Sequence, residues 1–231
     1  MDYFELRGVA ADVYATAELP AWLFVQLSSA PRTADILDFG CGFGQNVRGI
    51  KSHGFTRVCG ADVSEQALAH CRASGLEVFD VATGFGELES SGRRFDFIVT
   101  THVLEHIPKD QVIDVLTQLR GLLKSGGQLL IAVPNAQAYT GCYWAYEDFT
   151  HHTLYTAGSL LYILRAAGFS NMELLDRHAV VGSSFLRRSV RLMFATLYRW
   201  NYEFWKKVLG SPTHISGTDV FTYELKMRAS V

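Results

Sequence analysis

The stretch Ala34-Asp35-Ile36-Leu37-Asp38-Phe39-Gly40-Cys41-Gly42-Phe43-Gly44-Gln45 decides the fold. Ala34–Phe39 is short, apolar and bounded by glycine, the pattern of a buried strand. Three glycines in the next five residues mark a tight strand-to-helix turn where a ligand can approach the backbone. The helix beyond, running to about Ser52, offers backbone N–H groups and the positive end of its dipole to an anion. A second strand, Thr56–Ala61, leads into Asp62, eighteen residues after Gly44. A carboxylate there can accept hydrogen bonds from both hydroxyls of an adenosine ribose. The spacing separates two nucleotide classes. A dinucleotide fingerprint is G-x-G-x-x-G, and its last glycine would fall at Gln45. The order found is G-x-G-x-G, with Asp38 two residues ahead of the first glycine.

Working outward, the same rhythm repeats. Ser64 is placed to cap a helix with Gln66 and Ala67 in its first turn. Leu76–Phe79 reads as a third strand, Arg94–Thr100 as a fourth, and Gly127–Val133 as a fifth stopped by Pro134. A helix over roughly Lys109–Leu123 separates the last two. This alternation predicts a parallel sheet with helices on both faces and right-handed crossovers. Past Pro134 the pattern changes. Residues 135–156 read as a loop rich in aromatics and histidine, and a helix at about Ala157–Ala167 closes on Gly168. Strands near Asn171–Arg177 and Val220–Met227 complete the chain.

Composition narrows the class. The 231 residues are 48% hydrophobic with a formal net charge of −2 and a pI near 6.4, which excludes a disordered chain and a strongly basic nucleic-acid binder. No apolar run approaches the ~20 residues of a membrane span. The start, MDYFELRG, lacks the basic and apolar regions of a signal peptide. Cys41, Cys59, Cys71 and Cys142 fall at wide, irregular spacings, which fits a reduced, cytoplasmic protein better than a disulfide framework or a zinc site.

On these residues the sequence resembles the class I S-adenosylmethionine-dependent methyltransferases, and looks most like the branch related to ubiquinone-biosynthesis and glycan-modifying enzymes. The likeness continues through Asp62-Val63-Ser64, the strand RFDFIVT with Val103-Leu104-Glu105-His106 after it, LKSGGQLLIAVPN, Asp148-Phe149-Thr150-His151 and Ile163–Phe169. It implies an α/β fold over 1–231 as a single domain: a Rossmann-like, doubly wound sheet of about seven strands with the last antiparallel. A helical cap over 1–30 precedes the cofactor-binding core at 34–133, an acceptor loop spans 135–156, and a helical insertion at 183–209 precedes the last strand. It implies S-adenosyl-L-methionine as cofactor and S-adenosyl-L-homocysteine as product. Asp38 and the turn Gly40, Cys41, Gly42 and Gly44 would hold the amino-acid end, with Asn46 in the same set and Asp62 on the ribose. Val63 and Asp80 would lie near the adenine, although the text FDVATGF departs there from the family's usual G-D-A form. Thr101 and His102, at the end of the fourth strand, would face the methyl group and the acceptor.

The resemblance further implies O-methylation of a hydroxyl on a sugar, a glycan or another small molecule. A quinone-type or secondary-metabolite acceptor, and a non-catalytic cofactor-binding module, are the other readings. Gln45 argues against a dinucleotide oxidoreductase. No nucleic-acid partner is expected, since the amino-methylating signature Asn/Asp-Pro-Pro-aromatic is replaced after the fourth strand by Thr100-Thr101-His102-Val103. A hydroxyl acceptor calls for a base with a near-neutral pKa, usually histidine. His151 matches a family position near the acceptor and is the first choice, with His102 second; the plainer reading gives both structural hydrogen bonds. His53, His70, His178 and His214 have no motif context. His102, Glu105 and His106 at i, i+3 and i+4 would share one face of a helical turn and could ligate a divalent ion. A Glu–His pair bracing the next helix is the simpler account, and no metal is assigned.

Ser183–Leu209 stands apart, with six Lys/Arg against one Glu, and seven aromatics. Leu186, Val190, Met193, Leu197, Trp200, Phe204 and Val208 form one stripe on a helix. The plain expectation is packing on the domain or on a second subunit. The sharper one is peripheral contact with the inner face of an anionic membrane or with a lipid-linked substrate.

Overall fold

The computed structural model describes residues 3–8, 18–210 and 219–231. Seven strands form one sheet: β1 (Asp35–Phe39), β2 (Arg57–Asp62), β3 (Val78–Asp80), β4 (Phe95–Thr101), β5 (Leu123–Pro134), β6 (Ser170–Leu175) and β7 (Glu224–Ser230). Their order is β3-β2-β1-β4-β5-β7-β6, and β7 runs antiparallel to both neighbours while the other pairs are parallel. The strand order reverses between β1 and β4, which opens a crevice at the carboxyl ends of those strands.

Alternation along each strand divides the core into two layers. Ile36, Val58, Val99 and Leu130 face α2 (Ala21–Leu27) and α3 (Gln45–Ser52), where Leu23, Leu27, Val47 and Ile50 are fully buried. Leu37, Ile98, Leu129 and Ile131 point the other way, into Leu116 and Leu119 of α6 (Val112–Leu122) and Leu160 and Leu164 of α8 (Ala157–Ala166). Each such side chain contributes roughly 1.5–3 kcal/mol, so both faces are fixed against a one-residue slip.

Helix ends follow their local chemistry. Ser64 Oγ accepts the Ala67 N–H at 3.2 Å and starts α4 (Glu65–Ala73), a cap contributing about 1 kcal/mol. Thr156 and Ser159 cap α8 reciprocally, and the helix stops before Gly168 at φ +83°.

Several boundaries differ from the sequence reading. β5 begins at Leu123, so α6 is shorter than the expected helix. The segment 135–156 contains a helix, α7 (Gly141–Glu147), and a short α5 (Gly86–Ser90) follows β3. β7 starts at Glu224 and not at Val220. The Asn135 side-chain amide donates to Val220 O at 2.6 Å and Thr222 O at 2.8 Å, which holds that stretch outside the ladder. The expected cap appears as α1 (Tyr3–Leu6) and α2; its residues 9–17, and His214, lie outside the described residues.

The insertion is one 24-residue helix, α9 (Phe185–Val208), with no buried residue. Packing of its apolar stripe on the domain is therefore corrected: all seven stripe side chains are 43–73% exposed. No described helix is long and apolar enough to cross a membrane.

Candidate functional site

The glycine turn is stitched to β2. Gly40 and Cys41 both donate backbone N–H groups to Ala61 O, at 2.8 and 3.0 Å. Asp62 completes the stitch, with Oδ2 taking the Gly42 N–H at 2.7 Å and Oδ1 the Ser64 N–H at 2.9 Å. Gly40 is obligatory on two counts: φ is +78°, and a Cβ there would lie 2.1 Å from Val103 Cγ2. Gly44, at φ +82°, is the N-cap of α3, and its missing Cβ leaves room for Leu76 and Cys71. Gly60 on β2 was not singled out from sequence, yet a Cβ there would meet Cys41 Sγ at 2.6 Å. Absence of a side chain on β2 is what lets Cys41 seat beneath the turn.

A cavity of about 490 Å³ opens over this turn. Gly40, Gly42, Asp62, Val63, Thr101 and His102 line it, so six of the expected residues converge. Phe39, Phe43, Val81, Val103 and Trp144 make its walls apolar, and Gln45, Ser64, His106 and Thr150 add polar groups. The remaining expected residues do not line it. Cys41 is buried behind the turn, and Gly44 serves the helix cap. Asp80 bonds the Ala82 N–H at 2.8 Å, and Val81 lines the wall in its place.

Asp38 lies one side chain behind the surface. Its Oδ1 accepts from Asn46 Nδ2 at 3.4 Å, and the same amide donates to Thr101 Oγ1 at 3.1 Å. Asn46 and Thr101 line a neighbouring cavity of about 390 Å³ that shares Gln45, Thr101 and His102 with the first. Asp38 Oδ2 is buried with no hydrogen-bond partner. Burial raises its pKa to about 7, with the nearby Asp62 charge adding to the rise and the Asn46 bond opposing it. A buried carboxyl with an unsatisfied oxygen beside a cavity suits a cationic ligand.

The histidines sort differently from the sequence expectation. His151, the first choice for a base, does not line the cavity. Its Nδ1 bonds Trp144 O at 2.6 Å, and its ring lies edge-on to His106 at 4.7 Å. His102 lies at the cavity mouth with φ +55°, its Nε2 2.7 Å from Glu224 Oε1 and its Nδ1 3.4 Å from Glu105 Oε1. Burial works against its charge, but the bonds to Glu105 and Glu224 outweigh that and carry its pKa up to about 10. Both ring nitrogens are thus turned to carboxylates, and structural hydrogen bonds are the arrangement found for His102.

His106 lines the cavity as well, where His151 does not. Asp148 Oδ1 accepts both the Thr150 N–H at 3.0 Å and the Thr150 hydroxyl at 2.7 Å. With its single proton committed there, Thr150 Oγ1 can only accept from His106 Nδ1, 2.8 Å away. This network assigns the Nδ1–H tautomer and makes Nε2 the accepting nitrogen. Burial holds the His106 pKa below its usual value, so the ring is neutral at neutral pH.

Two further features were not legible. Arg7 reaches from the N-terminal segment to Glu147 at 3.0 Å and to Asp148, so a residue far away in sequence closes the cavity's edge. Phe4 of α1 packs on Phe43 at 4.6 Å. Of the aromatics in 135–156, the exposed Tyr139, Tyr143, Tyr146 and Phe149 do not line the cavity, and the half-buried Trp144 does. The metal-capable group among the described residues is Glu105, His106 and His151, whose ligand atoms all lie within 4.8 Å of one another. His102 is not part of it, because the 3₁₀ turn at Leu104–His106 replaces the helical face assumed from the spacing.

A family model described as a methyltransferase domain matches residues 14–174. A ubiquinone biosynthesis O-methyltransferase of Rhizobium leguminosarum bv. trifolii is 33% identical over 104 residues, 43% of this chain and 40% of that protein. The enzyme of the same name from Cereibacter sphaeroides is 29% identical over 161 residues, 63% of each. The match thus spans about half the length of these curated relatives. A crystal structure of an S-adenosylmethionine-dependent methyltransferase from Archaeoglobus fulgidus superposes with a TM-score of 0.65, covering 99% of this chain and 98% of that one at 16% identity. At that identity the likeness is one of fold.

Proposed function

The chain belongs to the class I S-adenosylmethionine-dependent methyltransferases, and from that premise we propose that it methylates a phenolic hydroxyl of a small cyclic acceptor, with His106 as general base. S-Adenosylmethionine, when bound, supplies a methyl group on a cationic sulfonium. The residues present fit that cofactor. The glycine turn leaves open backbone, Asp62 stands at the end of β2, and the orphaned Asp38 oxygen suits its positive charge.

His106 carries the reading. Its position on the cavity wall, its fixed tautomer and its lowered pKa make it ready to take a hydroxyl proton at Nε2. Thr150 and Asp148 hold the ring in place and would stabilise the imidazolium that forms. A phenol, with a pKa near 10, is within reach of a neutral imidazole. An aliphatic sugar hydroxyl, close to water's ~15.7, is not well matched. The reading therefore moves from the sugar acceptor to a phenolic one; the curated relatives are named ubiquinone biosynthesis O-methyltransferases, which supports transfer to oxygen. Trp144 offers a flat apolar wall for a ring, and Phe39, Phe43, Val81 and Val103 keep water from the site. Alignment within such a pocket can supply about 7–11 kcal/mol.

Calorimetry with S-adenosylmethionine tests the premise, using Asp62→Ala as the control that should lose binding. Turnover of simple catechols then tests the base. His106→Gln should keep cofactor affinity while kcat falls about 10²–10⁴-fold. A loss under about threefold removes His106 from the chemistry.

One observation favours a second reading. Glu105 is completely buried, and although His102 Nδ1 stands 3.4 Å from its Oε1, its Oε2 has no hydrogen-bond partner. With His106 and His151 it could hold a divalent ion, which would acidify the acceptor hydroxyl directly. Turnover abolished by a chelator and restored by Mg²⁺, Mn²⁺ or Zn²⁺ would select that reading.

A further inference from the structure

We propose that α9 is an in-plane membrane anchor that seats the protein on an anionic lipid surface. The helix has two unlike sides. At about 100° per residue, Leu186, Val190, Met193, Leu197, Trp200, Phe204 and Val208 cluster within an arc of roughly 80°. The attachments to the domain lie on the opposite side. Tyr198 and Tyr202 each meet Phe221 with ring centroids 5.0 Å apart, and Arg191 bonds Ala179 O and Ser183 Oγ. Lys206 reaches Asp219 at 4.0 Å. The domain thus holds α9 by a thin seam and turns its apolar stripe to the outside, with Leu186 at 73% and Trp200 at 71% exposure.

Seven large apolar side chains in one row exceed what a protein surface usually leaves to water. The stripe is too narrow for a helix that spans, and the helix fails the length-and-apolarity condition for crossing. Laid flat, its 24 residues extend about 36 Å. The charge selects the occupant. Residues 183–209 carry six cations against Glu203 alone; with Lys206 paired to Glu203 and Asp219 and Arg191 bonded to Ala179 O and Ser183 Oγ, Arg187, Arg188, Arg199 and Lys207 are the cations the proposal assigns to headgroups. Apposing the stripes of two copies would bring two such segments together, whereas anionic headgroups complement them. Arg187 and Lys207 fall at the stripe's two edges, where long cationic side chains can reach headgroups while Trp200 and Phe204 enter the acyl boundary.

Co-sedimentation of the full chain with phosphatidylcholine vesicles, with and without about one-third phosphatidylglycerol, tests this independently of any methyl transfer. Binding should require the anionic lipid, weaken at high salt and blue-shift tryptophan emission. Leu197→Glu with Trp200→Glu should weaken it at least tenfold, and Arg187→Glu with Lys207→Glu should weaken it mainly at low salt. Unchanged melting temperatures and S-adenosylmethionine binding would show that these variants are folded. Absence of binding by the wild-type chain overturns the proposal. So does a concentration-dependent dimer broken by the stripe variants in a chain that ignores vesicles.

Discussion

Asp38→Asn separates what the glycine turn does for the cofactor from what it does for the fold. The buried Asp38 carboxyl has one oxygen bonded to Asn46 and one without a partner, and its pKa stands near 7. Its folded-state pKa lies above the unfolded value of 3.8. The protonated form is thus favoured by folding, and stability from this group falls as pH rises from about 3.8 through about 7. Asn removes that burial cost, so the variant at about pH 8 should melt no lower than wild type, and its stability should vary less with pH. Cofactor affinity should move the opposite way. A positive ligand group roughly 6 Å from an ionised Asp38, at an effective dielectric of about 20, is favoured by about 2–3 kcal/mol. Its loss weakens Kd some 30- to 100-fold at about pH 8. If the ionised form is the one that binds, wild-type Kd should improve about tenfold between about pH 6 and about pH 8. The variant, meeting the same ligand, supplies the baseline for that change. Isothermal titration calorimetry in buffers of differing ionisation enthalpy reads both quantities, including proton release on binding near pH 7. A wild-type Kd flat with pH, or a variant that binds as tightly as wild type, refutes the reasoning.

Gly40→Ala and Gly75→Ala form a matched pair. Both positions have positive φ, but only at Gly40 does the added Cβ meet a side chain, at 2.1 Å, while nothing lies within 4 Å at Gly75. Gly75→Ala should cost about 1–2 kcal/mol in denaturant unfolding, and Gly40→Ala clearly more, with cofactor binding lost; equal costs would contradict the packing argument. For His102, whose pKa is raised to about 10, the stabilising ion pairs are complete below about 6.5 and are lost as pH rises through about 10. Wild type should therefore lose more melting temperature than His102→Gln over that alkaline window, and parallel curves would show that the pairs contribute nothing. Arg7→Ala removes the link to Glu147 and Asp148 at the cavity edge. It should raise KM for the cofactor about tenfold, at roughly 1.5 kcal/mol for a charged hydrogen bond, with a change in melting temperature small by comparison; an unmoved KM would make the contact merely structural.

The glycine turn was readable because its chemistry is local. A positive φ at Gly40, Gly42 and Gly44 admits few residues other than glycine, and a strand ending in Asp62 places a carboxylate beside the turn whatever the rest of the chain does. Which histidine faces the cavity was not readable for the opposite reason. His151 and His106 come from segments 45 residues apart, and which one faces the cavity depends on the turn that Asp148 makes by accepting two hydrogens from Thr150. That turn leaves Thr150 Oγ1 accepting from His106 and commits His151 to the Trp144 carbonyl. Arg7 was hidden for the same reason, since nothing near it in sequence names Asp148 as its partner.

The α9 segment shows a third kind of limit. A period of 3.6 gives a helix one apolar face but does not say whether that face turns in or out. Both outcomes satisfy the same sequence pattern, and the decision rests on what the polar and aromatic residues of the other face can hold. Here Tyr198 and Tyr202 find Phe221, Arg191 finds the Ala179 carbonyl, and Lys206 finds Asp219. Those contacts belong to segments on either side of the insertion, next to the paired β6 and β7. With the other face held in this way, the stripe is turned outward, its seven side chains 43–73% exposed.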